Sequence, residues 1–229
     1  MKARVKEILD QVKALGKSEN VEGMRRFGIT ARNAYGVSIY DLRKIAKDYG
    51  TDHQLALDLW KTEIHEARLL ASFIGDPEKT TEDQMESLVK DIDSWDICDQ
   101  ICSNLFDRTQ FAHSKAVEWS ERPEEFVKRA GFVLMTALSV HDKTAANSAF
   151  VRFLPIIKRE ATDERNFVKK AVNWALRQIG KRNSALNKKT VKIAEQIIDI
   201  DSKAARWIGR DAMRKLKSKK VQTKLMKMT

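Results

Sequence analysis

The sequence has 229 residues, of which 42% are hydrophobic and 33% charged, with a net charge of +11 and only 9 Gly and 3 Pro. That length supports one large domain or two small ones, and no run approaches the roughly 20 apolar residues of a membrane helix. Residues 1–17 lack the continuous apolar core of a signal peptide, so we expect a cytoplasmic protein without membrane contact.

Helical periodicity dominates the chain, and the alternation typical of strands is nearly absent. Helix breaks are expected at Gly50, Pro77, Pro123 and Gly180. No linker rich in Gly, Ser or Pro divides the chain, so we predict an all-α protein with a single domain over 1–229. The predicted helices lie near 2–16, 18–27, 39–49, 52–61, 63–75, 81–91, 94–106, 110–120, 123–140, 145–159, 163–181, 187–199 and 202–217.

The sequence also contains an internal repeat. FVKRAGFVLMTAL begins at Phe126, FVKKAVNWALRQI begins 41 residues later at Phe167, and weaker copies begin at Ala204 and Ile64. A period near 40 with a helix pair per unit is typical of HEAT-like repeats, and stacked pairs form an armadillo-like solenoid with a concave face. Because the chain is basic, we predict a concave basic face that suits a rod-shaped polyanion.

Positive charge is concentrated near the C-terminus. The basic segment 201–229 holds ten Lys or Arg against two Asp, which is +8 of the total +11. Such a surplus favours nucleic acid, an acidic protein or an anionic membrane as partner. A solvated charged tail without a partner is the alternative.

Metal and cofactor motifs are missing. Cys98 and Cys102 are too few for a structural zinc site, so we interpret them as small buried hydrophobes. A calcium loop starting at Asp91 would have Asp96 at position six instead of Gly. The four His have no ligand spacing, His65 is interpreted as a packing residue, and no nucleotide or hydrolase motif is present. We therefore predict no metal and no cofactor.

The helix predicted over 163–181 places its Trp away from the core. Trp174 falls about 140° from the centre of the aliphatic stripe on a helical projection. Its neighbours on that side are Lys170, Arg177 and Lys181. Two interpretations follow: an exposed ring in a basic groove, or a Trp packed against the next helix. The stripe itself contains Val168, Val172, Ala175, Leu176 and Ile179.

The stretch DSWDICD begins at Asp93 and contains two further carboxylates. Asp93 or Ser94 suits the N-cap of a helix and Asp96 suits its first turn, so Asp96 is interpreted as structural. Asp99 lies too deep to cap the helix and shares an edge with Trp95, one turn earlier. It is either a surface carboxylate paired with a Lys or Arg, or a functional anion in a basic groove.

Three separated segments resemble one family. SWDICDQ, FVKRAGFVLM and FVKKAVNWALRQIGKRN occur in the order found in AlkD-like DNA alkylation repair glycosylases, which are HEAT-like solenoids. The resemblance runs from about Met24 to Arg214. It implies that the chain excises N3- or N7-alkylated purines from double-stranded DNA.

The resemblance also implies roles for particular residues. The family uses a Trp and an Asp one helical turn apart, which correspond to Trp95 and Asp99, and a later Trp, which corresponds to Trp174. These three are the predicted catalytic residues. Two departures from the family pattern are Ser94, where well-known members have a further Trp, and Phe27, where they have a Tyr.

Five basic residues form the predicted DNA-binding set. Two family arginines correspond to Arg129 and Arg177. Lys170 and Lys181 share the face of Trp174, and Arg182 follows them in the chain. Such side chains would hold phosphates and set the register of the protein on DNA.

The chemistry suits a single carboxylate. An N3- or N7-alkylpurine already carries positive charge and leaves as a neutral base, whereas glycosidases acting on neutral sugars need a proton donor. Asp99 would stabilise the developing sugar cation and place a water, while Trp95 and Trp174 would hold the cationic nucleotide. We predict a monomeric, monofunctional alkylpurine DNA glycosylase, cytoplasmic and associated with the nucleoid, with little activity on uracil or 8-oxoguanine.

Two other functions remain open at this point. One is a non-catalytic HEAT-like binder of DNA or of unusual DNA structures, and the other is a scaffold for an acidic protein. The remaining tryptophans, Trp60, Trp119 and Trp207, are interpreted as packing residues.

Overall fold

A computed structural model describes residues 2–227, and within this range the chain is helical with no strand. The chain divides after Phe111 into two compact units. A compact unit need not fold independently, so the single domain over 1–229 stays a prediction. None of the helices between residues 2 and 227 is long and apolar enough to cross a membrane.

Helix α5 lies at the centre of the packing in the first unit. Helices α3, α5 and α7 pack side by side, and α4 packs on both α1 and α5. Its core includes Leu59, Leu70 and Met85, each almost fully buried. The helices of this unit are α1 (Lys2–Ala14), α2 (Ser18–Arg26), α3 (Ile39–Tyr49), α4 (His53–Trp60), α5 (His65–Ile74), α6 (Glu82–Lys90) and α7 (Trp95–Asn104).

The second unit stacks three of the four sequence copies. Its helices are α8 (Ala112–Ser120), α9 (Glu125–His141), α10 (Asn147–Val151), α11 (Phe153–Arg159), α12 (Asn166–Gly180), α13 (Ser184–Ile198), α14 (Lys203–Leu216) and α15 (Lys219–Met226). The copies beginning at Phe126, Phe167 and Ala204 form α9, α12 and α14, and α12 packs between the other two. The rings of Phe126 and Phe167 stack with centroids 5.6 Å apart. The repeat in the sequence is therefore a repeat in structure.

The structure differs from the predicted helices in two places. The helix predicted over 145–159 is two helices, α10 and α11, followed by a 3₁₀ turn over 160–162. Pro155 explains the break, because proline has no backbone N–H to donate inside a continuous helix. As the third residue of the new helix α11 it is tolerated, since the first N–H groups of a helix have no acceptor within it. Part of the C-terminal segment also folds as α15, which was not predicted. Val221 and Leu225, one turn apart, are 7% and 3% exposed, so this helix is anchored by apolar burial.

Candidate functional site

Helix α7 carries the predicted carboxylate and aromatic ring of the first unit. Ser94 precedes it in an extended conformation, with φ −146° and ψ 153°, and the helix buries its Ile97, Cys98, Ile101 and Cys102 side. Trp95 and Asp99 lie one turn apart beside this buried stripe and are both half-buried. The predicted pairing of the two residues on one edge of the helix is confirmed.

Trp95 is oriented by the chain that follows α2. Its indole Nε1 donates to the carbonyl O of Phe27 at 3.0 Å. The ring of Phe27, the residue that departs from the family tyrosine, is 72% exposed. The first unit therefore brings the backbone at Phe27 to the start of α7, although Phe27 and Trp95 are 68 residues apart in sequence.

Asp96 has a structural role, as predicted. His65 Nε2 lies 2.8 Å from Asp96 Oδ2, and His65 is only 3% exposed. Burial raises the pKa of Asp96, but the hydrogen bond and charge of His65 outweigh it and hold that pKa below its ordinary value. This carboxylate is thus ionised, and its Oδ2 is held by His65 within the fold.

The two cysteines are buried and reduced, which confirms their interpretation as packing residues. Burial, the neighbouring Cys98, and then the charges of Asp99 and Asp107 raise the pKa of Cys102 well above its ordinary value. A thiol that stays protonated is a poor nucleophile. Among the described residues no group of three or more His, Cys, Asp or Glu could hold a metal ion.

Helix α12 presents the predicted aromatic and basic residues of the second unit. Its aliphatic stripe, Val168 to Ile179, is fully buried, whereas Trp174 is half-buried and Lys170 exposed. Trp174 therefore lies off the stripe, as the helical projection predicted.

An aspartate that sequence analysis passed over organises part of this face. Asp211 Oδ2 accepts from Arg177 Nη1 at 2.9 Å and from Asn173 Nδ2 at 2.8 Å, and Oδ1 accepts from Arg214. Burial raises the pKa of Asp211, but Asn173, Arg214 and the charge of Arg177 together lower it. The sequence contains one indication of this role, because Asp211 is one of only two acidic side chains among ten basic ones in 201–229.

Lys181 lies in a strongly positive environment. Burial is the main cause that lowers the pKa of its ammonium, and the charges of Arg177, Lys215 and Lys224 lower it further. Its Nζ donates to the amide oxygen of Gln178 at 3.3 Å. An anion placed beside Lys181 would relieve this repulsion.

Two members of the predicted DNA-binding set are bound to backbone. Arg129 is 5% exposed, and its Nη1 donates to the carbonyl O of Phe167 at 2.6 Å, which links α9 to α12. Arg182 donates to the carbonyls of Ser139 and Ala145 at 3.1 and 3.2 Å. These contacts give both arginines a structural role, and their contact with DNA stays a prediction.

The remaining tryptophans divide into two kinds. Trp60 and Trp119 are 3% and 0% exposed, which confirms that they are packing residues. For Trp207 that interpretation is wrong, because the side chain is 43% exposed, with the ammonium of Lys169 lying 5.7 Å from its ring centroid. At position 207 the helical period turns the ring away from the buried residues of α14.

The chain matches a family model over most of its length. The model describes a DNA alkylation repair enzyme and matches residues 8–216. No curated protein matches the chain. The match begins in α1 and ends with α14, so it includes every predicted site residue.

A solved structure shares the fold. It comes from a new family of proteins related to the HEAT-like repeat DNA glycosylases with affinity for branched DNA structures. The match covers 92% of this chain and 95% of the other, with a TM-score of 0.76 and 21% identity. The likeness confirms the all-α, HEAT-like repeat fold, while the concave basic face stays a prediction.

Proposed function

This chain belongs to the DNA alkylation repair enzyme family, and from that premise we propose that it hydrolyses the N-glycosidic bond of cationic N3- or N7-alkylpurines in duplex DNA. The observation that carries the proposal is the arrangement on α7. Asp99 lies one turn from Trp95, whose indole is held by Phe27, whereas Asp96 is bound by His65. Asp99 lies one turn from the proposed nucleotide-binding ring of Trp95, so we assign the chemistry to this carboxylate.

The reaction needs no proton donor. The bond between C1′ and the purine nitrogen breaks with its electron pair going to the base, which leaves neutral because it was cationic. Asp99 stabilises the positive charge that develops on the sugar, and a water then adds to C1′ and loses a proton. The face of Trp95 attracts the cationic nucleotide by about 0.5–2 kcal/mol. Trp174 is proposed as the second ring for this task.

The charge of the chain suits the proposed substrate. A net charge of +11 favours binding to a polyanion, and the proposed phosphate contacts are Lys170 and Arg177 on α12 and Lys181 directly after it. Asp211 supports the proposal by holding the guanidinium of Arg177 in one orientation. We expect the protein to act as a monomer in the cytoplasm, on nucleoid DNA, without a cofactor.

Base release from duplex DNA containing N7-methylguanine tests the proposal. Asp99→Asn should lower the single-turnover rate by about 10²–10³, the loss typical of removing one electrostatic contact to a transition state. Its affinity for undamaged duplex should stay near that of the wild type. Asp48→Asn is the matched control, because Asp48 is an exposed carboxylate of α3, and it should retain the wild-type rate.

A second function is supported by the fold. The solved structure that matches with a TM-score of 0.76 comes from proteins with affinity for branched DNA, so this chain is also proposed as a non-catalytic binder of such structures. Competition between a four-way junction and a duplex of equal length tests this function. A preference for the junction, together with no base release by the wild type, would favour it over the glycosylase.

A further inference from the structure

A basic cavity opens in the second unit, where α9 and α12 end. Its volume is about 480 Å³, and four cationic side chains line it together with Gln178 and other polar and apolar residues. The cations are Lys143 after α9, Lys181 and Arg182 after α12, and Lys224 on α15. No carboxylate lines this cavity.

The positive charge of the cavity is poorly compensated. The two helix ends supply about half a negative charge each, so they offset roughly one of the four cations. Asp211 also acts on Lys181, but its carboxylate is bound by Asn173, Arg177 and Arg214. A protein that holds four cations together with too little negative charge nearby loses stability through their repulsion, and a bound anion would restore it.

Arg182 is fixed in place at the cavity wall. Two of its N–H groups donate to the carbonyls of Ser139 and Ala145, and its guanidinium lies 4.2 Å from the centroid of the Phe150 ring. None of these three contacts carries a negative charge, and the Asp142 carboxylate, whose charge also acts on Arg182, is bound by His113 and by the backbone N–H groups of Thr144 and Ala145. A cation that is held in one orientation and only partly compensated is suited to binding an anion.

Helix α15 brings the last cation to the cavity. Val221 and Leu225 bury its apolar side, and Gln222 Nε2 donates to the carbonyl O of Leu216 at 2.6 Å. Lys224, next to Leu225 in sequence, is exposed and lines the cavity. The C-terminal basic segment is therefore partly folded against the unit, with one of its lysines at a defined position.

We propose that this cavity is a phosphate-binding site in which Lys181, Arg182 and Lys224 hold one phosphate group of a DNA strand. The assignment of DNA as the source of the phosphate rests on the proposed function. Lys and Arg side chains around a concave surface are the usual protein ligands of phosphate. Three cations are more than a ligand with a single carboxylate would need, so a phosphate group fits the site better. The site adds a fixed contact through α15 to the more exposed contacts proposed on α12.

Salt-dependent binding to undamaged duplex tests the proposal. Removing one phosphate contact lowers the slope of log affinity against log salt by about 0.9. We expect this loss in Lys181→Gln and in Lys224→Gln. Lys220→Gln is the matched control, because Lys220 is also an exposed lysine of α15 but does not line the cavity. Equal slopes in Lys224→Gln and Lys220→Gln, with no change in Lys181→Gln, would overturn the proposal.

Two further measurements identify the source of the phosphate. The first compares the affinity for duplexes with 5′-phosphate ends and with 5′-hydroxyl ends. If Lys181→Gln weakens binding only to the phosphorylated duplex, the site holds a strand terminus. If it weakens binding to both, the site holds an internal phosphate. Inorganic phosphate should raise the thermal midpoint of the wild type above that in chloride of equal ionic strength. This gain should be absent in Lys181→Gln, and its persistence there would count against the site.

The test is separable from that of the glycosylase. At saturating protein, Lys224→Gln should release N7-methylguanine at the wild-type maximal rate. Asp99→Asn should lose release while keeping the wild-type salt slope. If the wild type releases no base but the lysine substitutions still lower the salt slope, the proposed reaction would be contradicted. The phosphate site would then still be supported.

Discussion

The imidazole Nε2 of His65 lies 2.8 Å from Oδ2 of Asp96, which joins the first turn of α5 to the first turn of α7. His65 is buried, and the side chain of Asp96 is 19% exposed. Asp96 stands next to Trp95 in sequence and one turn from Asp99. The pair therefore fixes the end of the helix that carries both proposed reactive groups, and its loss should be felt in stability and in activity.

The contribution of this pair to stability should depend on pH. Burial lowers the pKa of His65, but the hydrogen bond and charge of Asp96 raise it above 6.5, so its contribution is lost as pH rises through that raised value. The lowered pKa of Asp96 makes its contribution fade as pH falls below 3.8. Asp96→Asn should cost about 3 kcal/mol near pH 5.5 and clearly less near pH 8.5.

Urea unfolding at both pH values measures this difference. Asp48→Asn is the control, because Asp48 is an exposed carboxylate of α3, where a surface substitution usually changes stability by less than about 0.5 kcal/mol. A cost of Asp96→Asn that is the same at both pH values would show that the charged form of the pair is not what stabilises α7.

Trp95→Phe should weaken catalysis without unfolding the first unit. The change keeps an aromatic face but removes the N–H that donates to Phe27, so the ring loses its fixed orientation. We expect base release to slow by about 3- to 10-fold, within the range of a cation–π contact. Trp60→Phe also loses an indole hydrogen bond, to Asp91, but its ring is 3% exposed and it should release base normally. Equal losses in the two variants would indicate destabilisation instead.

The rate of release of a cationic base should not fall as pH rises. Because N7-methylguanine leaves without being protonated, no general acid has to stay protonated during the reaction. Single-turnover rates at saturating protein should be nearly level between about pH 6 and 9. A rate that declines tenfold for each pH unit would require a proton donor and would contradict the role given to Asp99.

Two glycines should respond to alanine in opposite directions. A Cβ on Gly131 would lie 2.5 Å from the backbone N of Ser120, so α8 and α9 would have to separate. Gly131→Ala should therefore destabilise the protein by about 1–3 kcal/mol or more. A Cβ on Gly23 meets nothing within 4 Å, and Gly23→Ala in α2 should stabilise by about 0.5–1 kcal/mol. Thermal unfolding of both variants measures the two changes in stability. A Gly131→Ala variant more stable than the wild type would show that α8 and α9 are not in close contact at this position.

Most helices were predictable because their signals are local. The 3.6-residue period of apolar side chains located α9, α12 and α14, and the same period placed Trp174 off the buried stripe of its helix. The position of Trp95 one turn before Asp99 is likewise a property of a few consecutive residues. Such features depend on backbone geometry that each short segment adopts on its own.

The partners of these residues were decided by tertiary structure. His65 and Asp96 are 31 residues apart, and Arg129 and Phe167 are 38 apart, so each pair joins helices of successive repeats. The role of Asp211 has the same origin. No local pattern specifies which side chains meet across two stacked helices, because that depends on the register of their packing. The sequence by itself determined most of the helices and the faces they expose, and the stacking of the repeats decided which polar groups are bound to one another.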